Sequence, residues 1–347
     1  MDAQAVGGGR HDGRVTITVP SAATGIATTG TATATGARTR RVRLPFDPRI
    51  GAVFAGLQRG AHDPAHRRLG DGWLRATRTP EGPALLRVAR TGDGVQAGAW
   101  GDGAEWALDR LPALFGADDD PTMFRPQHPL LVEAVRRHPD VRIGRTGQVF
   151  EALSASIIEQ KVTGLEAYSA IRRLLTRYGE PAPGPAQQPG SAAYGMRVPP
   201  DPHTWATIPS WQYLRAGVES SRSRTLVGAA RRGRAIERLA DRTSADADRG
   251  LCSLPGVGPW TSAEVRQRSH GDPDAWSIGD YHVGKDITWA LTGEVLDDDA
   301  CEELLEPYRG HRYRVQVLLG LMGSRRPRRA PRMALPTHTP ASRPRRS

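Results

Sequence analysis

The sequence predicts an α+β protein: a small N-terminal α/β unit, then a mainly α-helical domain, with disordered tails. Three observations predict it. Between Val42 and Phe124, short β-branched or apolar runs alternate with Gly-rich turns. From Pro126 to Gly323, apolar residues recur three and four apart. Outside those limits no apolar period can be traced. A chain of 347 residues, 38% hydrophobic, can bury two or three cores. The expected division is a tail over 1–40, an α+β unit over 41–125, a helical domain over 126–323 and a basic tail over 324–347.

The elements follow in order. "SAATGIATTGTATATGARTRR" is Gly/Ala/Thr-rich and reads as tail. "RVRLPFD" and "ALLRVARTG" read as strands, with turns at "TGDG" and "WGDG". "RIGAVFAGLQRGA" and "EWALDRLPALFG" read as short helices. Val149, Leu153, Ile157, Val162, Leu165, Tyr168, Ile171, Leu175 and Tyr178 mark one buried helical face, which "EQKVTG" splits into two helices. "EPAPGPAQQPGSAAYG" reads as a linker or loop, and "RTLVGAARRGRAIERLAD" as one amphipathic helix. The Pro/Arg end has nothing to pack.

Charge and cysteine content narrow the function. The formal net charge is +11 and the pI about 10.5, which suits nucleic acid or another polyanion as partner. Eight arginines after Gly323 account for much of it. No apolar run spans a membrane and no secretory signal opens the chain, so a cytoplasmic protein is expected. Cys252 and Cys301 are too few for an iron–sulfur cluster or an all-Cys zinc site. His62 and His66 stand four apart without a metalloprotease glutamate and read as surface residues. No metal site is expected.

The most informative stretch is "LPGVGPWTSAEV", Leu254 to Val265. Gly256 and Gly258 permit positive φ and close backbone approach. Pro259 suits the first position of a helix. With "SADADRGLCSL" before it, capped through Ser244 and Asp246, the unit reads as helix, short turn, helix over 246–269. Its turn amides and second helix dipole make an anion site able to hold a DNA phosphate without reading sequence. A plain helical hairpin with a Gly cap fits the same residues.

Asp280 stands 20 residues after Trp260, in "DAWSIGDYHVGKDITWALTG". "LPGVGPWT" with an Asp at that spacing resembles the helix-hairpin-helix DNA glycosylase superfamily, and within it the bacterial 3-methyladenine DNA glycosylase II branch. "ALSASIIEQKVTG", "HPLLVEAVRRHPDVRIGRTGQVFEAL" and "LRAGVESSRSRTLVGAA" extend the likeness, which covers about 42–323. The resemblance implies hydrolysis of the N-glycosidic bond of alkylated purines in double-stranded DNA after base flipping. It implies Asp280 as the catalytic carboxylate, stabilising positive charge on the sugar. It implies DNA contacts from Leu254, Gly256, Val257, Gly258, Thr261, Gln160 and Lys161, and a base pocket of Trp260, Glu264, Tyr281 and His282. No cofactor is implied beyond a monovalent cation at the hairpin carbonyls, and the protein is expected to act as a monomer associated with the nucleoid.

Trp260 stands where bifunctional relatives carry a Schiff-base lysine, so an abasic site with an intact strand is the expected product. Its ring can stack on a cationic base. Two departures are visible. The wedge position carries Lys161 and Val162 rather than a large apolar side chain, and Glu264 replaces an aromatic one helical turn after Trp260, where a surface charge is the favoured reading. Lys285 is expected on the helix after Asp280. The alternatives are a non-catalytic DNA-binding protein and a glycosylase for another damaged base, including an oxidised purine.

Overall fold

The computed structural model describes residues 17–20, 27–32 and 36–326. Strands β1 (Ile17–Pro20), β2 (Ala27–Ala32), β3 (Arg38–Arg43), β4 (His66–Arg68), β5 (Gly72–Thr79), β6 (Gly82–Thr91) and β7 (Gly94–Trp100) form one antiparallel sheet in the order β1-β2-β3-β7-β6-β5-β4. Two-residue connections pair Thr79 with Gly82 and Thr91 with Gly94; the second is the turn expected at "TGDG". Helices α1 (Ile50–Leu57), α2 (Ala104–Asp109) and α3 (Leu111–Leu114) pack on this sheet. Residues 17–20 and 27–32, inside the stretch expected to lack structure, run as strands, in keeping with their β-branched Ile, Val and Thr content. The boundary expected at residue 40 falls inside β3. The remainder of the expected N-terminal tail before residue 36, and the C-terminal tail after 326, lie outside the described residues.

The helical part begins with α4 (Pro129–Arg137), α5 (Val149–Glu159) and α6 (Gly164–Tyr178). A minor pair, β8 (Glu180–Pro181) and β9 (Arg197–Val198), precedes α7 (Pro202–Thr207), α8 (Ser210–Ala216), α9 (Ser220–Ala230) and α10 (Gly233–Glu237). Then come α11 (Ser244–Cys252), α12 (Pro259–Ser269), α13 (Val283–Thr292), α14 (Asp298–Leu305) and α15 (Arg312–Leu321). The predicted break at "EQKVTG" is present: α5 ends at Glu159 and Thr163 caps α6 through a capping box with Glu166.

Three expectations are corrected. The helix read over "RTLVGAARRGRAIERLAD" is two helices and a 3-10 turn, broken at Arg231–Arg232, where Gly233 lies so close to Pro202 that a Cβ would clash. Leu165 leaves the buried face and stands 78% exposed in the first turn of α6. His66 is buried rather than superficial, with Nδ1 3.0 Å from Asp63 Oδ2. His62 is exposed, as expected.

The Pro/Gly-rich stretch between α6 and α7 is a packed loop. Its Ala182, Ala186, Ala193, Met196 and Val198 cover Leu74, Ala76 and Leu85 on one face of the sheet. The opposite face carries Trp73, Val88 and Val95 against Phe54, Leu108 and Phe115. On β5, Arg75 Nη2 donates to Gln148 Oε1 (2.6 Å) and Glu151 Oε1 (2.7 Å), and Thr77 Oγ1 donates to Glu151 Oε2 (2.6 Å). The first turn of α5 is therefore rooted in the sheet. Two further cores divide the helices. One joins α5–α9 with Leu251, Val257 and Val265; the other joins α4 with α13–α15. No helix among the described residues is long and apolar enough to cross a membrane.

Candidate active site

The hairpin forms as the sequence predicts, with one refinement at each end. Thr243, not Ser244, caps α11, accepting from the Asp246 amide at 3.1 Å. Pro259 is the first residue of α12 and Gly258 its N-cap. Of the two glycines only Gly256 uses positive φ (83°), and a Cβ there would clash with Thr225 Oγ1. Gly258 is extended (φ −106°, ψ −176°) and open space lies where its Cβ would be. α11 and α12 are locked together by Ser262 Oγ donating to Asp248 Oδ1 (2.6 Å) and by Arg266 bridging Asp248 and Asp272. Val257 and Val265 bury into the first helical core; such side chains contribute about 1.5–3 kcal/mol each.

The turn after α5 is tied to this hairpin. Gln160 Nε2 donates to Gly256 O (2.9 Å) and to Thr261 Oγ1 (2.8 Å). The Nε2 of Gln160, a residue expected on DNA, thus braces the hairpin. Thr261 is buried, its hydroxyl taken up by Gln160. In the first helical turn the amides of Trp260 and Thr261 have no intrahelical acceptor. Leu254 O accepts from Val257 N (3.0 Å), so the Leu254 and Gly256 carbonyls each already meet a protein donor. Lys161 is exposed and holds a left-handed backbone (φ 54°) that side-chain-bearing residues seldom adopt. Val162 beside it is half-buried.

Asp280 lies across from the hairpin and joins it through Trp260. Its Oδ2 accepts from Trp260 Nε1 (3.1 Å), and its Oδ1 accepts from the amides of His282 (2.8 Å) and Val283 (3.0 Å) at the start of α13. A tight turn, Asp280 N to Ser277 O, sets the backbone. The carboxylate is half-buried and immobilised at both oxygens. Asp280 thus both anchors the start of α13 and stands beside the hairpin. Among the described residues no cluster of His, Cys, Asp and Glu could hold a metal ion.

The remaining pocket expectations divide. His282 is half-buried, its ring edge against Tyr281 and its Nδ1 3.4 Å from Arg326 Nη2. Tyr281 is 71% exposed, with Lys285 Nζ 4.1 Å from its ring centroid; Lys285 does lie on the next helix, α13. Glu264 is not the surface charge expected. It is buried, accepts from Arg268 Nη1 (2.7 Å) and Ser277 Oγ (2.6 Å), and shares Ser277 with Gln267 and Gln316. Burial works to raise its carboxyl, but Arg268 and Ser277 outweigh that and hold it below the usual range. Arg268 follows Glu264 at i+4, a signal present in the sequence; Ser277 and Gln316 come from distant loops and left none. This network fastens α12 to the segment leading to Asp280.

No family model matches the chain. Two curated Mycobacterium tuberculosis proteins, from strains CDC 1551 / Oshkosh and ATCC 25618 / H37Rv, are each described as a probable bifunctional transcriptional activator/DNA repair enzyme AlkA. They are 28% identical over 264 residues, covering 69% of this chain and 48% of theirs. The chain thus spans about half the length of the curated relatives it matches. Among solved structures, a 3-methyladenine DNA glycosylase from Archaeoglobus fulgidus superimposes with a TM-score of 0.67 at 15% identity, over 81% of this chain and 97% of its own. An 8-oxoguanine glycosylase/lyase from Clostridium acetobutylicum, bound to double-stranded DNA with cytosine opposite 8-oxoG, gives 0.60 at 15% identity, over 82% and 93%.

Proposed function

We propose, from the premise that this chain has the fold of the helix-hairpin-helix DNA glycosylases, that it is a monofunctional base-excision enzyme. It would act as a monomer on double-stranded DNA in the cytoplasm and hydrolyse the N-glycosidic bond of alkylated purines such as 3-methyladenine and 7-methylguanine. The observation that carries this reading is the Asp280 carboxylate, fixed by two amides at the start of α13 and joined to the hairpin through Trp260. The hairpin amides hold a phosphate of the damaged strand. The nucleotide is turned out of the stack, and its alkylated base, already cationic, leaves readily. Positive charge grows on the sugar as the bond breaks, and a preorganised carboxylate stabilises it. Trp260 carries no amine that could form a Schiff base, which supports hydrolysis without strand cleavage.

The test is incubation of the protein with methylated duplex DNA and analysis of the free bases. Release of 7-methylguanine or 3-methyladenine with an intact strand is expected. Asp280→Asn should lower single-turnover release at least about 100-fold while duplex affinity stays the same or rises. Release at the wild-type rate by the Asn variant would refute the role given to Asp280. A parallel duplex carrying 8-oxoguanine separates the alkylated-base reading from the oxidised-purine one, to which the fold likeness to the Clostridium enzyme also leads. Binding without release of any base would leave a DNA-binding protein.

A further inference from the structure

Trp260 and Asp280 are joined in a way that gives the indole a second task. A ring N–H directs its hydrogen within the ring plane, so Asp280 Oδ2, 3.1 Å from Nε1, lies near that plane and at the edge of the indole. Both faces of the ring stay outside the bond. The other carboxylate oxygen is held by the backbone amides of His282 and Val283, at the start of α13. Turning the carboxylate would break three hydrogen bonds at once, one of which belongs to the tryptophan.

A base stacked on that indole lies about 3.5 Å above the ring plane. The glycosidic bond lies in the base plane, so the sugar carbon at its other end lies in a plane about one van der Waals layer from the one that holds the indole and Oδ2. One rigid side chain then fixes both the height of the base and the place of the charge that must lie beside the sugar. We propose that Trp260 is a positioning residue for Asp280: its face seats the extruded base and its N–H aims the carboxylate. The proposal rests on the glycosylase reading above. It separates two roles that truncation of the side chain would remove together.

The separation can be made by replacing the indole N–H with sulfur, using 3-benzothienylalanine at position 260, which keeps the shape and stacking face and deletes the donor. Single-turnover release of 7-methylguanine from methylated duplex, affinity for a duplex carrying a cleavage-resistant 2′-fluoro 7-methylguanine nucleotide, and the melting temperature are measured in parallel. Loss of one hydrogen bond to a charged group predicts a rate about 10–100-fold lower, with affinity within about twofold and an unchanged melting temperature. Trp260→Phe should show the same rate loss with an added loss of affinity, because its face is smaller. An undiminished rate in the benzothienyl protein would overturn the proposal, and so would equal losses of rate and affinity. Failure of the underlying reading looks different: the wild-type protein would release no base, or Asp280→Asn would release it normally.

Discussion

At the scale of single residues the two hairpin glycines are not equivalent. Gly256 sits at φ 83° with Thr225 behind it, whereas Gly258 is extended with empty space before it. Gly256→Ala is expected to cost about 1–3 kcal/mol in denaturant unfolding, from left-handed strain and displacement of Thr225, and to weaken DNA binding. Gly258→Ala should stay within about 0.5 kcal/mol in the same unfolding, since neither strain nor clash opposes it. Equal losses in both variants would refute this account. The helix-turn-helix over the two glycines is legible in local spacing, whereas Asp280 and Trp260 are singled out through the family resemblance. Glu264 is misread because its burial depends on Ser277, which local spacing does not reveal. The bracing role of Gln160 is hidden for the same reason: the atoms it holds, Gly256 O and Thr261 Oγ1, lie about a hundred residues away.

At the scale of elements, α5 links the sheet to the hairpin. Its first two amides, Val149 N and Phe150 N, donate to Glu237 Oε2 (3.1 Å) and Oε1 (2.9 Å) from α10. Burial pushes the Glu237 carboxyl up to about 7; the two amides pull the other way, and neighbouring Glu151 adds to the rise. A carboxyl raised in the native state is most favourable there when protonated. Its contribution is complete below its ordinary unfolded value and declines as pH rises toward and through about 7. The melting temperature of the wild-type protein should therefore fall, relative to Glu237→Gln, between about pH 5 and pH 8. Parallel pH profiles of the two proteins would contradict the assignment. The break between α9 and α10 that brings Glu237 here is hidden in the sequence, because the apolar period runs on through Gly233 and only contact with Pro202 shows why it must stop. The Pro/Gly loop is hidden too: its covering residues are small, and composition alone reads as linker.

At the scale of the whole molecule, the last helix and the segment that links the two units are joined by buried charge. Arg314 on α15 donates to Asp119 Oδ1 (2.6 Å) and to Val141 O (3.1 Å), and Asp119 Oδ2 accepts from Ile143 N (2.8 Å). Both side chains are 2% exposed, so solvent cannot replace a missing partner. Arg314→Met should cost about 3–5 kcal/mol in urea unfolding, because an unpaired carboxylate stays inside. A cost under about 1 kcal/mol would mean that the pair does not fasten the connecting segment. The α+β class and the order of its two units are legible in the sequence, since they follow from periodicity and turn composition. How the units face each other is not, because Arg75, Thr77, Gln148 and Glu151 look like ordinary polar residues until β5 and α5 meet.

The rooting of α5 in the sheet has a consequence for inheritance of error. The helix works as a tie rod about 16 Å long, anchored at one end by Arg75 and Thr77 and gripping the hairpin at the other through Gln160. Slack introduced at the anchored end is delivered to the gripping end. On the function proposed above, changes in the strands, remote from the hairpin in the chain, would then be felt as slower base release.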